Sequence, residues 1–122
     1  MEFFAIADVK ISAEEIQQIT VEHLDRYSSD IDSILSSTDE NHAEIYCIWG
    51  TFLVERQLIR GGVRFSLPTC PNAFAWTITT GYDPAPDNIV IHGTINRVEH
   101  DEDFIESIES FISSWKTGFE TA

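Results

Sequence analysis

Three segments between residues 63 and 95 carry apolar side chains mainly at every second position, and this pattern limits the possible folds more than any other feature of the chain. The segments are 63–67, 74–78 and 89–95. A period of two is typical of a strand with one face toward the core. Proline-containing stretches separate the segments, as expected for connections between strands. We therefore expect three consecutive strands that are antiparallel neighbours in one sheet.

The last part of the chain is predicted to be an amphipathic helix. Its apolar residues recur every three to four positions, and acidic residues precede them, as is typical of a helix N-terminus. The apolar stripe consists of Phe104, Ile108, Phe111, Ile112, Trp115 and Phe119. Gly118 is expected to end this helix. Such a stripe is normally the core face of a helix, although it can also bind a partner.

The N-terminal third is predicted to contain a strand followed by helix. The apolar segment 3–11 indicates a strand, which we place at an edge of the sheet. Ser12 and Glu15 form a capping box, so a helix should begin at Ala13. Further apolar residues at helical spacing extend it, as one long or two short helices, to about residue 36. A polar loop at 36–41 is expected to follow.

The segment 45–54 is almost uniformly apolar, and two interpretations of it stay open. Its β-branched and aromatic residues favour a buried strand, whereas its spacing also fits a helix ending at Gly61. Gly50 within the segment and the hairpin signal of Gly61 and Gly62 favour the strand. The chain is thus predicted to be one α+β domain, residues 1–122. We expect a mainly antiparallel sheet of four to five strands in the order β-α-β-β-β-β-α, with the helical segments on one face.

Several classes of protein are not expected. No apolar run reaches the roughly 20 residues that a helix needs to cross a bilayer. Glu2 and Asp8 flank the first apolar residues, which does not fit an export signal. Cys47 and Cys70 lack a C-x-x-C partner, so free thiols are expected. We therefore expect a cytoplasmic protein without a cofactor.

Acidic residues are concentrated in the two segments that are predicted to be helical. The net charge is −14. Residues 1–42 contain ten acidic and two basic residues, residues 43–97 contain four of each, and residues 98–122 contain seven acidic and one basic. A negative surface repels nucleic acid phosphates and attracts basic proteins, or it serves only to keep a protein soluble. Direct nucleic acid binding is therefore not expected.

Our first interpretation is a protein-binding module rather than an enzyme. It would be an inhibitor of the immunity, antitoxin or anti-defence type, or a chaperone, and its partner would be a basic protein. The residues expected to bind this partner are Glu14, Glu15, Glu22, Glu99, Asp101, Glu102, Asp103, Glu106 and Glu109. The cluster 99–103 could also hold a hard cation, but its position at a helix N-terminus explains it without one. No metal site is predicted.

Two other interpretations stay open. The chain could be a small ligand-binding domain or enzyme that uses the sheet face and the loops around Cys70 and 83–87. His92 or His100 would then supply acid–base chemistry, which requires these groups to converge in one pocket. The chain could also be a structural subunit that assembles with itself, as a homodimer in the simplest case.

Overall fold

The computed structural model describes residues 1–96 and 101–121. The strands are β1 (Glu2–Ala7), β2 (Ile31–Asp39), β3 (His42–Cys47), β4 (Gly50–Ile59), β5 (Gly62–Ser66), β6 (Ala75–Thr80) and β7 (Ile89–Thr94). The helices are α1 (Ala13–Ile16), α2 (Leu24–Tyr27) and α3 (Glu102–Thr121), with a 3₁₀ turn at Val21–His23. All seven strands form one antiparallel sheet in the order β1-β7-β6-β5-β4-β3-β2.

The α+β class and the antiparallel sheet are confirmed, but the sheet has seven strands and not the four to five predicted. The three alternating segments form β5, β6 and β7, and these strands are consecutive neighbours as expected. In the register, Trp76 pairs with Phe65 on one side and with Gly93 on the other. Paired residues of antiparallel strands share a face, so this row of side chains points into the core. β1 pairs with β7 and forms an edge of the sheet, also as predicted.

The apolar segment 45–54 forms two strands where one was predicted. β3 ends at Cys47 and β4 begins at Gly50, so the chain reverses over Ile48 and Trp49. Gly50 has a φ of +114°, a conformation that glycine adopts without the steric cost of a Cβ atom. The choice of strand over helix is confirmed. The hairpin inside this segment was not predicted because its turn residues are apolar like those of the two strands, and it accounts for one of the additional strands.

The glycine pair after β4 serves two different purposes. Gly61 has a φ of +84° in the predicted hairpin that connects β4 to β5. Gly62 is required for close approach, because a Cβ atom there would lie 1.9 Å from the carbonyl oxygen of Ile78 in β6. The sequence therefore indicated the turn, while the packing of β5 on β6 explains the second glycine.

The predicted N-terminal helical region is mostly not helical. Ser12 caps α1 as expected, and its hydroxyl accepts a hydrogen bond of 3.1 Å from the N–H of Glu15. α1 then ends after one turn, α2 is equally short, and the chain enters β2 at Ile31. Ile31 and Ile34 are spaced as on a helix because a bulge between them shifts the strand register. The loop predicted at 36–41 is the end of β2 and its tight turn into β3.

The C-terminal helix is confirmed, and it continues beyond the predicted end. α3 packs against β1, β7 and α2, while α1 packs against β5 and β6. Gly118 lies inside α3, where a Cβ atom would come within 1.7 Å of the carbonyl oxygen of Tyr27. The glycine thus allows α2 and α3 to touch. No helix within residues 1–96 and 101–121 is long and apolar enough to span a membrane.

One arginine is buried on the core side of β4. Arg56 is 7% exposed, and its Nε donates to the carbonyl oxygen of Ile19 at 2.6 Å. Its Nη1 donates to Oδ1 of Asn41 at 2.8 Å, and its Nη2 donates to the carbonyl oxygen of Gln17 at 2.5 Å. The planar guanidinium can serve acceptors in several directions at once. Arg56 therefore joins the segment after α1 and the β2–β3 turn to the centre of the sheet.

Candidate functional site

An apolar cleft lies at the end of the molecule where α3 begins. Its walls come from the β3–β4 hairpin, the connection between β5 and β6, and the first turn of α3. The lining residues are Trp49, Phe52, Cys70, Pro71, Asn72, Phe74 and Phe104, and the cleft has a volume of about 90 Å³. Six of the seven side chains are apolar or weakly polar, so the cleft favours an apolar occupant.

Trp49 fixes the β3–β4 hairpin to α3. Its indole Nε1 donates a hydrogen bond of 2.8 Å to the hydroxyl of Ser107. Its ring meets Phe74 at an angle of 75° with 5.3 Å between centroids, and it lies 5.0 Å from the ring of Phe111. These are favourable geometries for aromatic pairs. The wall of the cleft on this side is therefore held by contacts with both the sheet and α3.

The connection between β5 and β6 forms the opposite wall through a series of tight turns. The N–H of Cys70 donates to the carbonyl oxygen of Leu67, and the N–H of Ala73 donates to that of Cys70, each at 3.0 Å. Asn72 accepts a hydrogen bond of 3.1 Å on its carbonyl oxygen from the N–H of Asn96. The backbone of this connection is thus well anchored, and it presents the half-buried Cys70 side chain to the cleft.

A cluster of large aromatic side chains fills the space between the sheet and α3 behind the cleft. Phe74 stacks on Trp76 at 5.4 Å, and Phe111 meets Trp76 edge-on at 4.9 Å. Phe65 and Trp115 extend the cluster on the far side of Trp76. The indole nitrogens of Trp76 and Trp115 are buried, and neither has a hydrogen-bond partner within the described part of the chain. Buried indoles normally have such a partner.

The two cysteines occupy different environments. Cys47 is buried, and its Sγ donates a hydrogen bond of 3.4 Å to the carbonyl oxygen of Gly50. Burial raises the pKa of the Cys47 thiol above its usual value, because the thiolate is poorly solvated there. Cys47 is therefore a core residue, whereas Cys70 is the thiol that contacts the cleft.

The structure does not bring His92 to the cleft. Gly93 in β7 faces α3, because a Cβ atom there would meet Ile112 at 2.7 Å. Its neighbour His92 therefore points to the opposite face of the sheet, where it stacks on Phe4 and its Nε2 lies 3.0 Å from Oε1 of Glu2. The segment 83–87 connects β6 to β7 at the end of the sheet remote from the cleft. The convergence that the enzyme interpretation requires is thus not formed by Cys70 and His92.

Five of the predicted partner-binding residues lie exposed at or near the start of α3: Asp101, Glu102, Asp103, Glu106 and Glu109. The carboxylate of Asp101 accepts a hydrogen bond of 3.1 Å from the N–H of Asp103, as a helix cap does. Glu99 and His100 lie outside the described residues. Within residues 1–96 and 101–121, no three His, Cys, Asp or Glu side chains are arranged to hold a metal ion.

The other predicted partner-binding residues lie apart from this group. Glu14 and Glu15 are exposed on α1, and Gln17 at the end of α1 donates to the carbonyl oxygen of Ile59 in the β4–β5 hairpin. That hairpin is at the end of the sheet opposite the cleft and the start of α3. Glu22 lies in the 3₁₀ turn beside the end of β2. The acidic residues of the two helical segments are thus not gathered into one cluster.

Sequence reasoning identified the loop at Cys70 but missed the aromatic residues of the cleft. Trp49, Phe52, Phe74 and Phe104 come from three distant parts of the chain. Each one fits a strand, turn or helix pattern that a core residue would also fit. The available signal was the position of Phe74 just after the predicted connection at Pro68 and Pro71, which did not distinguish a cleft residue from a core residue.

Comparison with known proteins supports the fold. Neither a protein-family model nor a curated protein sequence matches the chain. Solved structures, by contrast, match the chain over almost its whole length. The protein XoxI from Bacillus cereus matches with a TM-score of 0.69 and 14% identity, over 98% of this chain and 93% of that one. An uncharacterised protein from Bacillus thuringiensis matches with a TM-score of 0.63 and 15% identity, over 98% of both chains.

A START superfamily protein from Mycobacterium smegmatis is another solved structure with a similar fold. It matches with a TM-score of 0.61 and 13% identity, over 98% of this chain and 94% of that one. The fold is similar to that of a START superfamily protein. At these identities the likeness concerns the fold alone, so the function has to be argued from the site.

Proposed function

We propose that this protein is a small-molecule binding module that receives the end of an apolar ligand in the cleft. The observation that carries the proposal is an apolar concavity whose walls come from three separate parts of the chain. Ligand sites in proteins are concave and mostly apolar, with a few polar groups that orient the ligand. Asn72 is the polar side chain available in this lining.

The size of the cleft limits how the ligand binds. Its volume of about 90 Å³ is below the roughly 300 Å³ at which typical ligand pockets begin. It is also smaller than the cavity of about 150 Å³ that is known to hold benzene. We therefore propose that one end of the ligand enters the cleft, while the rest lies across its open side next to the exposed Pro71.

The first test uses N-phenyl-1-naphthylamine, a neutral dye whose fluorescence rises in an apolar site. The dye should bind saturably to the wild-type protein. Alkylation of Cys70 by N-ethylmaleimide places a bulky group in the cleft and should weaken dye binding about tenfold, or about 1.4 kcal/mol. Cys47 should stay unmodified because it is buried and its thiol pKa is raised. Mass spectrometry of the modified protein should therefore show one adduct.

Two variants serve as controls for this test. Cys70→Ser should still bind the dye saturably, and its binding should be insensitive to N-ethylmaleimide. Leu58→Ser removes a side chain that is 59% exposed near the opposite end of the sheet, and it should leave dye binding unchanged. Absence of saturable binding, or equal binding by the alkylated and unmodified proteins, would rule out the cleft as the site.

A second candidate function is the docking of a basic protein onto α3, as an inhibitor or a chaperone would require. It is favoured by the exposed carboxylates of Glu102, Glu106 and Glu109. Among the described residues, the salt bridges found do not involve any of the three. Their unbalanced charge would attract a positively charged surface and speed its association.

Charge reversal tests this second candidate. The variant Glu102→Lys/Glu106→Lys/Glu109→Lys should lose a basic partner that the tagged wild-type protein captures at low salt and releases at high salt. Folding should be nearly unchanged, because exposed charges contribute little to stability. Circular dichroism checks this.

A matched control reverses three exposed acidic residues elsewhere on the surface, in the variant Glu55→Lys/Asp83→Lys/Asp87→Lys. It changes the net charge equally and should retain the partner. If both variants capture the partner equally well, α3 is not the interface. If both lose it, the binding depends only on net charge.

A further inference from the structure

The two buried indoles behind the cleft differ from the third tryptophan of the protein. Trp76 and Trp115 are fully buried, with 6.1 Å between their ring centroids, and their Nε1 atoms lack a hydrogen-bond partner within the described residues. Trp49 by contrast donates to Ser107. An unpaired buried donor loses its hydration without compensation. Two such donors in one cluster therefore indicate an environment suited to an acceptor.

Trp76 lies directly behind the wall of the cleft. Phe74 lines the cleft with one side and stacks on Trp76 at 5.4 Å. Gly93 is the residue opposite Trp76 in β7, and the atoms nearest to the space above it belong to the side chains of Phe74 and Ile112. A ligand in the cleft reaches the indole of Trp76 only if these two side chains rotate aside. The ring of Phe74 thus separates the ring of Trp76 from the cleft.

We propose that the ligand is a neutral apolar molecule whose inserted end carries a hydrogen-bond acceptor, such as a carbonyl oxygen, for the indole N–H of Trp76. This inference rests on the function proposed for the cleft. An indole can only donate, so the ligand must accept. Burial of an ionised carboxylate among aromatic rings would cost far more than the burial of a ketone or aldehyde oxygen. The net charge of −14 also opposes an anion.

Three small probes test which chemical group the cleft prefers at the inserted end of a ligand. Acetophenone carries the acceptor, α-methylstyrene has nearly the same shape without it, and benzoate carries a charge. In displacement of N-phenyl-1-naphthylamine, acetophenone should bind about three- to tenfold more tightly than α-methylstyrene, the range expected for one neutral hydrogen bond. Benzoate should not compete.

Two tryptophan variants locate the hydrogen bond. Trp76→Phe keeps an aromatic ring but removes the donor, so the preference for acetophenone should disappear. Trp115→Phe should retain it. In the ¹⁵N-labelled wild-type protein, acetophenone should move the indole proton resonance of Trp76 downfield, while α-methylstyrene should not. This last measurement does not depend on whether either variant folds.

The outcomes separate this inference from the proposed function. If both neutral probes displace the dye equally, or if the preference survives in Trp76→Phe, the cleft binds ligands but the acceptor is not recognised by Trp76. If the dye itself does not bind to the cleft, the proposed function and this inference both fail.

Discussion

Replacement of Arg56 by methionine should lower the free energy of unfolding by about 3 kcal/mol. The guanidinium makes three hydrogen bonds, and each hydrogen bond from a charged donor stabilises the fold by about 1.5–3 kcal/mol. The methionine variant no longer has the desolvation cost of a buried charge, and this offsets several kcal/mol of the lost stabilisation. The carbonyl oxygen of Ile19, a residue that is 2% exposed, would then lose the bond from Nε. A net loss of about 3 kcal/mol corresponds to a fall of about 10 °C in Tm for a chain of this size.

Urea unfolding followed by far-UV circular dichroism measures the effect. Arg64→Met is the matched control, because it removes the same charge from a half-buried side chain with one hydrogen bond of 3.0 Å to Gln57. The free energy of unfolding of this variant should be less than about 1 kcal/mol below that of the wild type. Arg56→Lys should lose about as much as Arg56→Met, since a lysine keeps the charge but cannot reach three separate acceptors. Equal stability of Arg56→Met and Arg64→Met would refute the role assigned to Arg56.

Two further predictions concern α3. Gly118→Ala should destabilise the protein by at least about 2 kcal/mol in the same urea assay, because its Cβ atom would overlap the carbonyl oxygen of Tyr27, and unchanged stability would contradict this contact. Lys116 donates to the carboxylate of Glu120 at 2.6 Å and holds the pKa of that carboxyl below its ordinary value of 4.5. Since the pKa is lowered in the folded state, this pairing favours folding above pH 4.5, and the effect disappears as the pH falls through the folded-state value. In a carboxyl NMR titration, Lys116→Met should raise the pKa of Glu120, whereas an unchanged value would mean that the ion pair does not persist in solution.

The elements that the sequence predicted correctly are those whose pattern is local and undisturbed. β5, β6 and β7 carry buried apolar residues mainly at alternate positions, and α3 has an apolar stripe from Phe104 to Phe119, so the period alone indicates the secondary structure. β2 was predicted as helix because its bulge puts Ile31 and Ile34 on the same face three positions apart. The β3–β4 hairpin was missed because its turn contains Ile48 and Trp49, which are apolar like the strands beside them.

The cleft could not be derived in the same way. Trp49, Phe74 and Phe104 are each buried or half-buried aromatic residues, and nothing in their local sequence separates a lining residue from a core residue. Cys70 was noted as a loop thiol, yet its position in the same cleft as Phe104 depends on where α3 packs against the sheet. His92 was considered together with Cys70, and the alternation of β7 turns it to the other face.

The sequence by itself determined the α+β class, the antiparallel arrangement of β5 to β7, the amphipathic C-terminal helix and the uneven distribution of acidic charge. These properties follow from the order of residues within short segments, where periodicity and turn chemistry act over a few positions. Only the tertiary structure decided the number of strands, the burial of Arg56, the cleft, and the two buried indoles behind it. These depend on contacts between residues that are far apart in the chain, such as Trp49 with Ser107, and no local pattern encodes such contacts.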